Sequence, residues 1–347
     1  MGVQHTRNRR LLLLPLATIV CLNACTEAVE SDSYLSGRSM GTSFTIEIAD
    51  ADVRDRERIE AEIQTTLSNI EGRLSTYRPD SELSVFNESR PFGWLTISDA
   101  LCTELADAQR LSAMTGGAFD PTVGPLVELW GFGASGIVVT PPPAEAVEAQ
   151  LSAVGYDYLE LDCSRPAALK RAPLSVDLSG YAKGYAVDKL AELLEGYGVG
   201  NFLVELGGEL KLRGSNADGE LWSIAIERPP PGGRGVQSIV GLTDVAIATS
   251  GDYRNFFEHE GQRYSHTIDP RTGRPVTHSL AQVTVVAESA AEADAMATAL
   301  LVLGPKRGLA FAEREGLAAY FLLRDDDEIS ARWSTRFAQL TRIDETP

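Results

Sequence analysis

Apolar positions in this chain fall into two patterns, short alternating runs and longer stretches spaced by three and four. Phe44 to Ile48 alternates apolar and polar side chains, which predicts a half-buried strand. Ile59, Ile63, Leu67 and Ile70 make one apolar stripe, the signature of an amphipathic helix. A second helix is predicted over Asp99 to Thr115, stopped by Gly116-Gly117. Pro141-Pro142-Pro143 breaks the chain, and a helix resumes over Ala144 to Val154. Further helices are predicted over Ala186 to Leu194 and Ala290 to Leu303, the last closed by Gly304-Pro305. Phe202 to Leu206 and Val283 to Ala287 read as strands, and Pro229-Pro230-Pro231-Gly232-Gly233 as a loop. Strands and helices are interspersed without a regular βαβ period, so the pattern predicts an α+β fold. No repeat recurs at solenoid or propeller spacing.

The first residues read as an address. Residues 1–10 carry three arginines and no acid, and Leu11 to Leu22 follows as an apolar run. That run is shorter than the ~20 residues that span a bilayer. Residues 1–24 are therefore predicted to be a secretory signal. Cys25 directly follows Ala24 and resembles a bacterial lipobox, which predicts a lipidated mature N-terminus. Several acyl chains on one cysteine would hold the protein firmly to a membrane. Residues 25–33 are then predicted to form a lipidated tether, 34–340 the folded domain and 341–347 a polar tail. The protein is expected to be exported and anchored on the periplasmic side.

Composition changes the picture in one respect. With 347 residues, 44% hydrophobic and 23% charged, the chain is ordinary globular material with a sizeable core. Its 31 basic residues face 49 acidic ones, a net charge of −18. Losing Arg7, Arg9 and Arg10 with the signal deepens that to −21. Such a surface repels phosphate backbones and argues against nucleic-acid binding. Cys102 and Cys163 remain after export, and an oxidising compartment permits them to pair. No C-x-x-C spacing points to thiolate zinc or redox chemistry.

Two familiar motifs match in letters alone. Gly131-Phe132-Gly133-Ala134-Ser135-Gly136 satisfies the dinucleotide fingerprint but leads into a triple proline, where no helix can open. Gly37-Arg38-Ser39-Met40-Gly41 satisfies the serine-hydrolase elbow, yet a strand rather than a helix follows it. A serine hydrolase built on Ser39 and His266 is the distant alternative.

Chemistry concentrates in four glycine-rich polar blocks: Gly116 to Pro125, Val176 to Gly184, Ala248 to Pro270, and Ala293 to Thr298. Together they offer oxygen ligands, a lysine, a histidine and hydroxyls. Asp294 and Thr298 are one helical turn apart and share a face. Hard oxygen donors without a thiolate or histidine cluster suit Mg²⁺. Taken singly, Lys183 fits a surface lysine as well as a phosphate ligand, and Asp120 before Pro121 fits a turn. The blocks together suggest metal-assisted chemistry on a phosphate ligand.

In these blocks the sequence resembles the ApbE family, the Mg-dependent FAD:protein FMN transferases, from about Arg38 to about Gly308. The resemblance implies a two-lobed catalytic unit with its ligand cleft between the lobes. It implies transfer of the FMN half of FAD to a threonine hydroxyl of a target protein, with AMP released. The implied partners are flavin-accepting subunits of membrane redox complexes. Carried onto this chain, Met40, Tyr77, Ala118, Phe119, Asp120, Asp177, Lys183 and Ile268 would line the FAD site. The Gly180 carbonyl, the Asp294 carboxylate, the Ala297 carbonyl and Thr298 would hold Mg²⁺. An interior helical carbonyl is already bonded four residues on, so Ala297 demands a helix distortion or end. Tyr181 departs from relatives that carry a smaller residue there. His266 is the candidate base, with Asp252 or Asp269 behind it, and positioning of phosphate or ring is its other role. Water attack would instead give an FAD pyrophosphatase. A non-catalytic FAD carrier is the remaining alternative.

Overall fold

Met40 and Gly41 turn the chain between its first two strands, β1 (Tyr34–Ser39) and β2 (Thr42–Ile48). Both carry positive φ, 50° and 74°, as a tight two-residue hairpin requires. The computed structural model describes residues 34–50, 55–136, 138–229, 235–325 and 328–341. The predicted signal, Cys25 and the tether lie outside the described residues, as do most of the proline-glycine loop and of the tail.

After the hairpin come α1 (Arg56–Leu74), α2 (Glu82–Glu88), β3 (Trp94–Thr96), α3 (Asp99–Met114), α4 (Gly124–Leu129) and α5 (Ala144–Leu151). Next are β4 (Leu159–Asp162), β5 (Ala167–Lys170), α6 (Ala182–Gly196), β6 (Phe202–Leu206) and β7 (Glu209–Arg213). They lead to β8 (Trp222–Arg228), β9 (Gly235–Leu242), β10 (Ala246–Gly251), β11 (Phe256–His259) and β12 (Gln262–Ser265). The remainder is β13 (Ile268–Asp269), β14 (Arg274–Pro275), β15 (Leu280–Ala287), α7 (Ala290–Glu315), β16 (Ala318–Asp325), β17 (Glu328–Trp333) and α8 (Thr335–Thr341).

Eight strands join in the order β1-β2-β6-β7-β10-β15-β16-β17, each antiparallel to its neighbours. One face carries the main core. Phe44, Ile46 and Ile48 of β2 meet Ile59, Ile63, Leu67 and Ile70 of α1 there, with the buried faces of α6 and α7. On the opposite face Leu212, Ile247, Val286, Tyr320 and Leu322 pack under the β8–β9 hairpin and against Phe337 of α8. A third, smaller cluster joins Leu126 and Trp130 to Val147, Phe257 and Ile268. Mixed helices and antiparallel strands make the fold α+β, as the pattern predicts.

Burial on both faces explains why β15 was predicted only from Val283. Seven of its eight residues are buried, so it lacks the alternation that marks a strand with one wet side. The amphipathic helix over residues 59–70 and the helix stopped at Gly116-Gly117 form as predicted. The helix predicted from Ala186 begins four residues earlier, and that over Ala144 to Val154 ends at Leu151. The break at Gly304-Pro305 is present: Gly304 has φ 75° and ψ 178°, although helix resumes beyond it. Cys102 of α3 and Cys163, just after β4, form a disulfide with their Cα atoms 5.7 Å apart.

Candidate functional site

The site is assembled where α6 and α7 pack against each other and against the sheet. Asp188 of α6 accepts the first free N–H groups of α7, from Ala290 and Ala291 at 2.9 and 3.0 Å, and the Ser289 hydroxyl at 2.8 Å. A carboxylate at a helix N-terminus satisfies orphan donors and opposes the helix dipole. At the same crossing a Cβ on Gly184 would meet the Ala290 carbonyl oxygen at 2.1 Å, so the backbones touch. Glycine alone permits that approach. The contact fixes the register of the two helices and brings Lys183 to Asp294.

Lys183 Nζ lies 2.7 Å from Glu209 Oε1 and 3.7 Å from Asp294 Oδ2. Both carboxylates are buried. The second oxygen of Glu209 has no hydrogen-bond partner, whereas Asp294 Oδ2 also accepts from the Gly184 N–H at 3.3 Å. Desolvation pushes the Asp294 and Glu209 carboxyls above the ordinary carboxylate range, and the Lys183 charge pulls against it. Desolvation works to lower Lys183, but the charges of Asp294 and Glu209 outweigh it and leave the ammonium firmly protonated. Two buried carboxyl groups thus flank one ammonium, and burial pushes the Glu209 carboxyl up to about 8.

One turn along α7, Thr298 Oγ1 lies 3.1 Å from Ser250 Oγ at the end of β10. Gly180 faces it closely enough that a Cβ there would lie 3.0 Å from that hydroxyl. Gly180, Asp294 and Thr298 line one cavity, so a carbonyl, a carboxylate and a hydroxyl are available to a hard cation. Among the described residues no three His, Cys, Asp or Glu side chains gather as metal ligands. The donor set therefore fits an ion that takes few protein ligands and keeps waters, as Mg²⁺ does. The distortion expected at Ala297 is not there. Helical backbone runs through Ala297 to Leu303, and the departure falls at Gly304. Ala297 is also not among the residues that line the cavity.

That cavity holds about 540 Å³ and gathers most of the predicted flavin-site residues: Tyr77, Ala118, Phe119, Asp120, Asp177, Lys183 and Ile268. Tyr77 is 67% exposed and presents its ring at the mouth. Phe119 and Ile268 are buried in the wall. Asp120 is engaged by its own loop: it accepts from Thr122 N–H and hydroxyl at 2.8 and 2.6 Å and from Tyr156 N–H at 2.9 Å. Burial raises its carboxyl, and the Thr122 and Tyr156 hydrogen bonds oppose that rise. Asp177 caps its own turn through the Ser179 N–H at 2.8 Å. Met40 is not brought to the cavity wall; it sits in the β1–β2 turn, where its N–H bonds Glu71 Oε1. Ser39 bonds the same carboxylate at 3.2 Å, which leaves the elbow motif as a hairpin.

His266 lines the cavity, and its Nδ1 sits 3.0 Å from the Asn255 carbonyl oxygen. A carbonyl only accepts, so Nδ1 carries the proton and neutral Nε2 keeps its lone pair. Desolvation lowers its pKa; the Asn255 carbonyl and the Asp252 charge oppose this, and Lys183 adds to it. Neither predicted acid supports the ring. Asp252 is bound by both ends of the Arg324 guanidinium, with Arg324 Nη1 at 2.8 Å. Asp269 is held by Arg271 at 2.7 and 2.8 Å. Each carboxylate has a cation of its own, and a backbone carbonyl takes the place expected for an acid.

Comparison with known proteins agrees with this arrangement. The ApbE family model matches residues 40–321. This chain belongs to the ApbE family. It is 42% identical over 330 residues to the FAD:protein FMN transferase of Vibrio cholerae serotype O1, covering 94% of this chain and 97% of that protein. Its identity to the FAD:protein FMN transferase of Haemophilus influenzae is 39% over 340 residues, 96% of this chain and 98% of that one. The apo flavinyl transferase ApbE of Pseudomonas stutzeri superposes with a TM-score of 0.82 at 39% identity, covering 89% and 96% of the two chains. The flavin transferase ApbE of Vibrio cholerae gives 0.82 at 40% identity, covering 88% and 98%.

In this ApbE-family chain the site also includes Glu209 and Ser250, which sequence spacing does not single out. Glu209 lies outside the four glycine-rich polar blocks. Gly207-Gly208, with φ 63° and 105°, makes the tight β6–β7 turn that delivers it, so the Gly-Gly-Glu run was the readable signal. Ser250 stood in the third block, and nothing local links it to Thr298, 48 residues away.

Proposed function

We propose that this protein is an FAD:protein FMN transferase that moves the FMN half of FAD onto a threonine hydroxyl of a target protein and releases AMP. The observation that carries the reading is Lys183, half-buried between the carboxyls of Glu209 and Asp294 and sharing with Gly180 and Thr298 the lining of a cavity of about 540 Å³. Membership of a family whose curated relatives bear that activity in their names supports it.

The chain's residues divide the work by charge. Lys183 places a fixed ammonium where a diphosphate would lie, and Asp177 and the Ala118-Phe119-Asp120 loop shape the wall around the nucleotide. Tyr77 offers an aromatic face at the mouth for a flat ring. Gly180, Asp294 and Thr298 would hold Mg²⁺, which when bound neutralises charge developing on phosphoryl oxygens. The threonine oxygen forms a bond to the FMN phosphorus as the bond to the AMP oxygen breaks. His266 Nε2 takes the hydroxyl proton, because its other nitrogen is committed to Asn255. Prealigned groups in a partly dehydrated pocket supply the remaining advantage.

The same reading extends to the cell. Residues 1–24 export the chain, Cys25 takes the lipid, and the catalytic domain works on the periplasmic side on flavin-accepting subunits of membrane redox complexes.

The test incubates purified protein with FAD and Mg²⁺, with and without a threonine-bearing acceptor domain, following AMP release and the acceptor's mass. An FMN-sized mass gain that disappears with EDTA and in Asp294→Ala supports the transferase. AMP and FMN appearing while the acceptor stays unchanged would mean a pyrophosphatase. Tight FAD binding without either product would mean a carrier.

A further inference from the structure

The Lys183 cluster poses an electrostatic problem. An ammonium beside a buried carboxylate closes onto it, because a charge pair in a poorly hydrated site attracts strongly. Lys183 pairs with both carboxyls but makes its close contact with Glu209 rather than Asp294. It sits 3.7 Å from Asp294 Oδ2 but 2.7 Å from Glu209 Oε1. The two carboxylates come from different elements, Glu209 from the first residue of β7 and Asp294 from α7. Glu209 is almost wholly buried and belongs to the cavity lining, and its Oε2 is a buried oxygen without a hydrogen-bond partner. A buried carboxylate with one oxygen idle is costly, and a fold retains it where the charge has a task.

We propose that Glu209 is a positioning residue that draws Lys183 away from Asp294 and so keeps the Asp294 carboxylate open to a divalent cation. This rests on the reading of Gly180, Asp294 and Thr298 as the cation centre. The charge balance is consistent. With both carboxyls ionised, one ammonium between them leaves a net charge of −1, which attracts a divalent ion, and a bound cation in turn favours the ionised forms that burial opposes. Without the Glu209 charge, Lys183 and Asp294 form a closed neutral pair, and a cation must compete with the lysine for its own ligand. The β6–β7 turn supports the arrangement from behind. A Cβ on Gly207 would lie 3.2 Å from Lys183 Cδ, so the lysine stem is packed against the turn that delivers Glu209.

The experiment measures Mn²⁺ binding to the full protein by calorimetry without FAD, so it does not depend on turnover. Glu209→Gln keeps the size and a hydrogen-bond acceptor for Lys183 but removes the charge. It is expected to weaken Mn²⁺ by at least about tenfold, with an unchanged melting temperature. The double variant Lys183→Gln/Glu209→Gln has no lysine to close onto Asp294 and is expected to recover wild-type affinity or better. Glu209→Asp keeps the charge at shorter reach and separates position from net charge: weakened binding supports positioning, and wild-type binding overturns it in favour of charge alone. Unchanged binding in Glu209→Gln, or no recovery in the double variant, overturns the proposal with the cation centre intact. A wild-type protein that takes up no Mn²⁺, while Asp294→Ala behaves identically, overturns the cation reading itself and this inference with it.

Discussion

A histidine whose Nδ1–H is tied to a backbone carbonyl has one chemical option left, the lone pair at Nε2. His266 is in that position, and desolvation holds its pKa below the ordinary imidazole value. The sign follows from the shift. Because the folded pKa is depressed, the folded protein takes up the proton later than the unfolded chain as pH falls. The group's contribution to stability is complete above about pH 6.5 and is lost as pH falls through the folded value. The base form persists over the same range, so His266 itself should limit FMN transfer only below about pH 6.5. His266→Gln should lower the transfer rate by about 10²–10⁴-fold and leave FAD affinity nearly unchanged. A variant that loses FAD affinity and rate together would make His266 a positioning residue for the ligand instead. Residue types at this scale were legible in sequence, because a histidine, a lysine and an acid in glycine-rich blocks announce chemistry. Their partners were not. Asp252 and Asp269 looked like natural supports for His266, and only the fold shows that Arg324 and Arg271 occupy them.

At the scale of elements the site depends on how closely α6 and α7 cross. Gly184 is the contact point, and the atom it faces, the Ala290 carbonyl oxygen, belongs to backbone and cannot rotate away. Gly184→Ala should therefore push the helices apart, at a cost of about 1–3 kcal/mol or more. Lys183 and Asp294 flank the crossing, so transfer should fall further than stability does. Denaturant melts read beside AMP release check this; lost stability with full turnover would show that the site tolerates a looser crossing. The helices themselves were legible from their three-four spacing, and Gly304-Pro305 marked a true break. Strands β8, β9, β16 and β17 were not singled out. Several of these positions pack into a second core on the far face of the sheet, whose existence only strand order reveals. The interior of α7 was likewise opaque: its alanine-rich run gave the helix, but not that Ala297 keeps regular helical backbone.

Across the whole molecule the acidic composition argues against nucleic-acid partners, while the Cys102–Cys163 disulfide ties together regions that are distant in sequence. Cys102 and Cys163 are 61 residues apart, and no spacing rule joins them; the 5.7 Å between their Cα atoms does. The bridge links α3, which packs in the main core, to the small β3-β5-β4 sheet. Closing a loop of that length stabilises the fold by about 4 kcal/mol in the chain-entropy account. Spread over a domain of this size, its loss corresponds to a fall of roughly 6 °C in melting temperature. The Lys183–Glu209–Asp294 cluster is built from α6, β7 and α7 and owes nothing directly to the bridge. Reduction of the purified protein, or the Cys102→Ala/Cys163→Ala pair, should therefore lower the melting temperature while FMN transfer at 25 °C continues at nearly the native rate. Scanning calorimetry beside the transfer assay measures both. Loss of transfer in protein that is still folded at 25 °C would mean that α3 and its sheet hold the cavity in shape, and the separation of stability from catalysis argued here would fail.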